Sequence, residues 1–265
     1  MPLRVVVVNM SIRFLSVALL VLGLVLPAQC TAGQNAAIEL LETVGGQYVV
    51  DETGNLVEVD LSNCWITDID LQKLAPMVHL QSIALANTKI TDQGLEQLAT
   101  LPNVHTLNLR YAEYISDIGV AHLQHWRNLK YLNLRGTKVT STVFEHVSKM
   151  RQLEFLDVAH SRVSDELFEN LVDLDQLRSF SFGGNKMSGT ALPLLKLLPA
   201  LRELDIGSSQ RTDSGLWSVS VTDANIVDIA QLTQLETLDL SGTSVSDRGL
   251  SQLSQLKNLK LIDLS

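Results

Sequence analysis

Residues 80–101 read LQSIALANTKITDQGLEQLATL, and this stretch decides the fold. Ile83 and Leu85 alternate with polar neighbours, a pattern typical of a short strand with one buried face. Leucines then recur every three residues, as along one face of a helix, at Leu95, Leu98 and Leu101. Thr91 or Asp92 can cap the first helical N–H groups, so the switch from strand to helix has a local chemical cause.

The same frame recurs along most of the chain. Its segments open at Leu56, Leu80, Val104, Leu129, Leu153, Leu177, Leu201, Leu235 and Leu259. The spacings between them are 24, 24, 25, 24, 24, 24, 34 and 24 residues. A fixed period of this size indicates a solenoid of stacked supersecondary units. One such unit buries too little apolar surface to offset the entropy of ordering it, so neighbouring units must share a core.

Two phrases within this frame, ITDQGL at residues 90–95 and VSDRGL at residues 245–250, resemble the leucine-rich-repeat superfamily, and the resemblance covers residues 55–265. They look most like its ribonuclease-inhibitor-like and cysteine-containing classes and like secreted bacterial leucine-rich-repeat proteins. Cys64 falls at the Asn/Cys position of the first full repeat. The resemblance implies an α/β fold, a right-handed leucine-rich-repeat solenoid, or horseshoe, with a concave parallel β-sheet and convex helices.

The N-terminus has the pattern of an export signal. Arg13 precedes the uncharged apolar run 14–26, and small residues follow it. We predict that residues 1–32 are a signal peptide, with Met10 as an alternative start. The product would be exported to the periplasm, the cell envelope or the extracellular space, with no stable transmembrane span in the mature chain. An uncleaved, signal-anchored form and lipidation at Cys30 are the alternatives.

The remaining chain divides into a cap and the repeat array. Residues 33–54 are predicted to form an N-terminal cap, a short helix plus a hairpin strand that covers the first edge of the sheet. Residues 55–265 hold about eight full repeats and a truncated last strand, and an insertion near 208–220 accounts for the 34-residue spacing. Because the sequence ends inside a strand, we expect an exposed sheet edge and self-association through it.

The strand residues that flank each buried pair are predicted to line the concave face, since side chains alternate across a sheet. In the middle repeats these residues are Asn108, Arg110, Tyr111, Tyr131, Asn133, Arg135, Phe155, Asp157 and His160. Aromatic residues and Arg are the side chains most enriched in binding hot spots, so we interpret this set as a patch that binds a partner. The alternative is that Tyr131 and Phe155 stack only to stabilise the sheet.

Two further features are candidates for binding. An acidic edge is predicted toward the C-terminus, at the equivalent positions Asp205, Asp239 and Asp263. It would attract a basic partner or calcium, or it would serve only solubility. The insertion carries Arg211 and Trp217, and it is either a binding loop or a neutral duplication.

Charge and motifs exclude several functions. The net charge of −9 repels phosphate backbones, so nucleic acid is not an expected partner. The sequence has no nucleophile elbow, Walker loop, HExxH or paired CxxC motif. Cys64 is expected to be a buried structural residue rather than a nucleophile. We therefore predict no enzyme activity, no cofactor and no metal site.

The favoured function is an exported leucine-rich-repeat protein that acts as a protein-protein interaction or scaffolding module through its concave face. Its partner is a protein of unknown identity. One alternative is a substrate-recognition receptor of the F-box/LRR ubiquitin-ligase type, although residues 33–54 are too few for an adaptor-binding domain. The other is a passive structural protein of the cell envelope.

Overall fold

The structure, a computed structural model, describes residues 32–265. Nearly all of the predicted signal peptide, with Cys30, lies outside the described residues. Helix α1 (Ala32–Val44) and strand β1 (Gln47–Val50) come first, and β1 pairs antiparallel with β2 (Leu56–Asp60). No helix within residues 32–265 is both long enough and apolar enough to cross a membrane.

One sheet runs through the part of the chain that the structure describes, in the order β1-β2-β3-β4-β5-β6-β7-β8-β11-β12. Its further strands are β3 (Ser82–Ala84), β4 (Thr106–Asn108), β5 (Tyr131–Asn133), β6 (Phe155–Asp157), β7 (Ser179–Ser181), β8 (Glu203–Asp205), β11 (Thr237–Asp239) and β12 (Leu261–Asp263). From β2 onward every pairing in this sheet is parallel. Ile83 lies opposite Val59 on one side and Leu107 on the other. The predicted solenoid with a parallel sheet is confirmed.

Short helices return the chain from one strand to the next. The α-helices are α2 (Asp68–Leu71), α3 (Asp92–Leu98), α4 (Asp117–His122), α5 (Val143–Val147), α6 (Ile226–Ala230) and α7 (Asp247–Gln252), and 3-10 helices cover Phe168–Asp173, Leu192–Leu197 and Leu253–Gln255. The Thr91 hydroxyl accepts the N–H of Gln93 at the start of α3, which confirms the predicted cap. Leu95 and Leu98 are fully buried against the sheet.

Besides the hydrogen bonds between strands, consecutive repeats are joined by the polar contacts of an aspartate. These contacts explain the ITD-x-GL signature. Asp68 accepts hydrogen bonds from the backbone N–H and the hydroxyl of Thr91 in the next repeat, at 2.8 and 2.6 Å. The same two bonds recur between Asp92 and Ser116, Asp117 and Thr140, and Asp223 and Ser246. A Cβ on Gly94 would stand 2.5 Å from the Asp68 carboxylate. The glycine therefore leaves room for the aspartate of the preceding repeat.

The insertion is a small antiparallel hairpin made of β9 (Gln210–Thr212) and β10 (Gly215–Trp217). After the hairpin, the Ser220 N–H donates to the Met187 carbonyl at 3.0 Å. This bond is equivalent to the one that the Arg162 N–H donates to the Val139 carbonyl, at 2.9 Å, two repeats earlier. The chain thus re-enters the solenoid in register. The ten residues 209–218 account for the difference between spacings of 34 and 24 residues.

Candidate partner-binding surface

Each strand of the repeats ends in a turn that passes through the left-handed backbone region. The turn residues form one row across the solenoid, which we call the turn row: Asn63, Asn87, Tyr111, Gly136, His160, Gly184, Ser208 and Gly242. Gly adopts this conformation freely and Asn and His are enriched in it, whereas most other residues adopt it at a cost of about 1–2 kcal/mol. Tyr111 (φ 56°), His160 (φ 54°) and Ser208 (φ 64°) are the members of the row that are neither Asn nor Gly, and Tyr111 and His160 belong to the predicted patch.

The large side chains of the turn row lie against glycines of the next repeat. A Cβ on Gly136 would collide with the ring of Tyr111, and one on Gly184 would stand 2.8 Å from Nδ1 of His160. The imidazole reaches across Gly184, and its Nε2 lies 3.1 Å from the hydroxyl of Ser208. From Tyr111 to Gly184, large residues thus alternate with glycines along the row, and the tyrosine and histidine rings are fixed in place.

A charged cluster lies beside the turn row. Nη1 of Arg135 lies 3.7 Å from Oδ2 of Asp157 and 3.6 Å from Oδ2 of Asp205. The Arg110 guanidinium lies over the Tyr111 ring, 5.2 Å from its centroid. Arg110 is exposed and Arg135 is half-buried, so the two cations differ in how much of their charge a ligand can reach.

Burial shifts the titration of this cluster. It raises the pKa of Asp157 to about 6, although the Ala159 N–H and Arg135 favour the ionised form. Burial and then the charge of Asp239 raise the pKa of Asp205. Burial, together with the positive charges of Arg135 and Arg110, lowers the pKa of His160. Near neutral pH the His160 imidazole is therefore neutral, and protonation of Asp157 begins as the pH falls toward about 6.

Several residues expected on the surface serve as its framework. Asn133 and Asp157 are only 7% and 6% exposed. Each side chain accepts the backbone N–H two residues later, from Arg135 at 3.0 Å and from Ala159 at 2.9 Å. Asn108 makes the same bond to the N–H of Arg110 at 3.1 Å. These side chains fix the exit of each strand, and the turn residues beyond them carry the accessible groups.

The aromatic pair occupies the other end of the same strands. Tyr131 and Phe155 lie opposite each other in register, and their rings stack with centroids 4.1 Å apart and an interplanar angle of 7°. Both side chains are half-buried on the open face of the sheet. Tyr131 and Arg135 are four positions apart along an extended stretch of chain, a distance of about 13 Å at about 3.3 Å per residue. The accessible residues form the central patch: Arg110, Tyr111, Tyr131, Arg135, Phe155 and His160.

The acidic edge has structural partners of its own. Asp205, Asp239 and Asp263 are neighbours in register, as predicted from their spacing. Asp239 accepts the N–H of Ser241 at 2.8 Å, and Asp263 that of Ser265 at 2.9 Å. Within residues 32–265, no group of three or more acidic, histidine or cysteine side chains is arranged to hold a metal ion. The aspartates thus repeat the strand-end bond of Asn133.

The hairpin stands next to the central patch. Nε2 of Gln210 donates to the carbonyl of Ser161, one residue after His160, at 3.4 Å. Arg211 is exposed, whereas Trp217 is half-buried and its Nε1–H donates to the Ser214 hydroxyl at 3.0 Å. Leu216, which is not among the residues predicted from the sequence, is 64% exposed. The indole therefore supports the hairpin, while Leu216 and Arg211 face solvent.

Cys64 has the environment of an unreactive thiol. It is half-buried rather than fully buried, and it packs against the core. Burial and then the charge of Asp60 raise the pKa of the thiol, which keeps it protonated at neutral pH.

Some residues of the surface escaped sequence reasoning. Ser208, Gly136 and Gly184 carry no chemistry that draws attention in a sequence. Their shared position, three residues after the last residue of a strand, was visible in the 24-residue frame. A comparison of that position across repeats would have shown Tyr111 and His160 where Asn or Gly is usual.

Comparisons with known proteins agree with this geometry. The leucine-rich-repeat profile matches residues 55–75, 77–99 and 231–254. Internalin C2 from Listeria monocytogenes is similar in structure, with a TM-score of 0.61 and 21% identity over 87% of this chain and 92% of that chain. The Arabidopsis receptor kinase HAESA, solved with the peptide hormone IDA and the co-receptor SERK1, gives a TM-score of 0.55 and 21% identity. That match covers 82% of this chain and 35% of HAESA.

No curated protein sequence matches the chain. At these identities the solved structures establish the fold alone. The repeat period, the parallel sheet and the three profile matches agree with one another, and no enzyme family is found. The chain is a leucine-rich-repeat protein whose solenoid is structurally like the repeat domains of the bacterial internalins.

Proposed function

We propose that this protein binds a protein partner through the central patch, with an extended segment of the partner lying along the open face of the sheet. The left-handed turns at Tyr111 and His160, which place large side chains where five other turns have Asn or Gly, are the observation that carries the proposal. Five of the eight residues in the turn row are Asn or Gly, which adopt the left-handed conformation at little cost. Residues other than glycine that are held in this conformation cluster at functional sites, where the surrounding structure fixes them in place.

The side chains of the central patch are suited to protein recognition. Tyr111, Tyr131 and Phe155 offer ring faces, and Arg110 offers an exposed guanidinium that can pair with a carboxylate. The ion pairs of Arg135 orient it without removing it from solvent. We infer a partner segment with an acidic side chain that reaches Arg110 and an apolar side chain that packs on the Tyr131–Phe155 pair.

The fold supports a role in interaction rather than catalysis. Leucine-rich-repeat domains are a module type used for protein interaction, and HAESA was solved with a peptide hormone and a co-receptor. A fold shared with such proteins raises the expectation of binding without naming the ligand.

We also propose that the protein acts outside the cytoplasm. The proposal rests on Arg13 and the apolar run 14–26, and likeness to an internalin is compatible with it. N-terminal sequencing of the protein from the extracytoplasmic fraction tests it. A mature N-terminus near residue 33 is the expected result, and a full-length protein found only in the cytoplasm would contradict it.

The binding proposal is tested with variants that borrow residues from neighbouring repeats. Ala86 and Ala159 occupy the register position of Arg110, and Ser179 occupies that of Phe155. Arg110→Ala/Phe155→Ser should therefore keep the fold while it removes a cation and a ring. The control, Arg248→Ala/Val227→Ser, removes an exposed cation and an exposed apolar side chain on the helix side.

Partners are captured from extracts with the unchanged protein, and their affinities for each variant are then measured. We expect at least a tenfold weaker Kd for the patch variant, the effect of losing about 1.4 kcal/mol, and an unchanged Kd for the control. Equal affinities for all three proteins would overturn the proposal.

A further inference from the structure

A second row of side chains runs along the solenoid, two or three residues after the turn row. It contains the exposed residue that precedes the buried Ile, Val or Met after each of the first six turns. We call it the basic-aromatic row: Trp65, Lys89, Tyr114, Lys138, Arg162 and Lys186. Main-chain bonds hold consecutive members in register, such as Lys138 N–H to the Ile115 carbonyl at 2.8 Å and Arg162 N–H to the Val139 carbonyl at 2.9 Å.

The cations and the rings of this row are in contact. Nζ of Lys89 lies 4.9 Å from the centroid of the Trp65 ring, and Nζ of Lys138 lies 5.0 Å from that of Tyr114. Trp65 is nevertheless 84% exposed and Tyr114 is 49% exposed. The ammonium groups therefore cover only part of each ring, and apolar ring surface stays open to solvent.

A pair of exposed isoleucines extends the apolar surface. Ile69 and Ile118 follow Trp65 and Tyr114 by four residues, in α2 and α4, and they are 72% and 65% exposed. Large apolar side chains this exposed are candidates for contact with a partner or a membrane. In this row the large apolar side chains belong to the first and third repeats, and the cations continue through the sixth.

Most of the acidic groups nearby are less exposed than the cations of the row. Asp68, Asp92, Asp117 and Asp165 are half-buried and accept hydrogen bonds from hydroxyl or N–H groups of the next repeat. Glu113 and Glu166 are the exposed acidic neighbours in sequence. The row thus presents exposed Lys and Arg heads on a chain whose net charge is −9.

We propose that the basic-aromatic row, with Ile69 and Ile118, docks the solenoid on the surface of a membrane that contains anionic lipid. Trp and Tyr favour the interface between headgroups and acyl chains, and the isoleucines would enter its outer layer. Lys and Arg heads would meet lipid phosphates while their stems lie in the apolar boundary. An acidic protein or a soluble polyanion would meet the cations but would leave the isoleucines uncovered.

The row and the central patch share no residue. The patch lies on the strands and the turns directly after them, whereas the row lies two or three residues further along each turn. The membrane proposal therefore does not rest on the proposed partner, and each can fail without the other.

The test is co-sedimentation with vesicles of phosphatidylcholine alone or with an equal amount of phosphatidylglycerol. We expect binding to the mixed vesicles that decreases as salt is raised, because salt screens the lipid charge. Lys89→Glu/Lys138→Glu/Lys186→Glu should lower the partition coefficient at least about tenfold. Lys149→Glu/Arg248→Glu/Lys257→Glu makes the same charge change at other exposed positions and should retain most of the binding. All variants have the same N-terminal segment, so any difference in vesicle binding between them arises from the substituted residues.

Two readouts separate a membrane from other anionic ligands. Tryptophan emission should shift to shorter wavelength on binding mixed vesicles, and Trp65→Phe should abolish that shift while binding persists. Ile69→Ser/Ile118→Ser should also weaken binding at constant salt. The proposal is overturned if no protein binds the mixed vesicles, or if both charge variants lose binding equally. It is also overturned if binding ignores the isoleucines and heparin competes for it, which would indicate a soluble polyanion.

Discussion

The carboxylate of Asp92 occupies the space that a side chain on Gly119 would fill in the next repeat. It accepts the N–H and the hydroxyl of Ser116 at 2.8 and 2.6 Å, and a Cβ built on Gly119 would collide with its Oδ1. The same arrangement joins Asp68 to Gly94 and Asp223 to Gly249. The aspartate of one repeat signature therefore contacts the glycine of the next repeat. This contact explains why both residue types recur in the signature.

Gly119→Ala should destabilise the protein even though alanine is the better helix former. The added methyl group displaces the Asp92 carboxylate and breaks its bonds to Ser116, a cost of about 1–3 kcal/mol that exceeds the helix gain of about 1 kcal/mol. Urea denaturation measures the change in the free energy of unfolding.

A double-mutant cycle with Asp92→Ala isolates the contact. In that background Gly119→Ala should be neutral or stabilising, because the obstructing carboxylate is absent. Additive effects in the cycle would show that the two residues do not compete for space.

Asp157→Asn should stabilise the protein at neutral and higher pH. Burial places the pKa of Asp157 at about 6, against about 4 in an unfolded chain. Between these values the folded state keeps the proton and the unfolded state has lost it, so this group makes stability fall as the pH rises from about 4 to 6. Asparagine keeps the acceptor for the Ala159 N–H, as Asn133 does in the preceding repeat, and Asp205 remains a partner for Arg135.

The expected gain at pH 8 is on the order of 2 kcal/mol, and it should vanish below about pH 3, where Asp157 is protonated in both states. Urea denaturation across this pH range gives the difference curve. A variant less stable than the unchanged protein at pH 8 would show that the ion pair with Arg135 outweighs the burial of charge.

Removal of residues 209–218 should leave an intact solenoid. The deletion joins Ser208 to Val219 and restores the 24-residue spacing, and Ser220 can keep its bond to the Met187 carbonyl. We expect circular dichroism like that of the full chain and a Tm within a few degrees of it, since the excised hairpin contributes little to the core. A large fall in Tm, or a loss of cooperativity, would mean that the hairpin supports the repeats around it.

His160→Asn separates binding from stability. Asparagine adopts the left-handed conformation of this turn, as Asn87 does, and the loss of the hydrogen bond to Ser208 costs about 1 kcal/mol. We expect a Tm close to that of the unchanged protein and a weaker Kd for the captured partner. If the variant binds the partner normally, the imidazole is only a structural filler over Gly184.

The sequence predicted the parts of the fold that repeat. Alternation at Ile83 and Leu85 and the three-residue spacing from Leu95 specify strand and helix, and the constant period specifies their stacking. Local chemistry decides each of these features, so one repeat was enough to read them. The cap at Thr91 was predicted for the same reason.

Features that depend on two repeats could not be read from one. The exposure of Asp157 depends on the packing of the strands on either side. The hydrogen bond that its carboxylate accepts from the Ala159 N–H holds it in a buried position. Gly136 and Gly184 leave room for the rings of Tyr111 and His160, and this contact exists only because neighbouring turns lie side by side. The role of Asp92 likewise needed the position of Gly119, because the contact spans a full repeat.

Site-specific photo-crosslinking tests the central claim most directly. p-Benzoyl-phenylalanine is placed at Tyr111 in the central patch, or at Val227 on the helix side, and each protein is irradiated with the captured partner. The account predicts a covalent adduct from position 111 and none from position 227, with the adduct lost when Arg110→Ala/Phe155→Ser is introduced. An adduct from position 227 alone, or equal adducts from both positions, would contradict the assignment of the sheet face as the binding surface.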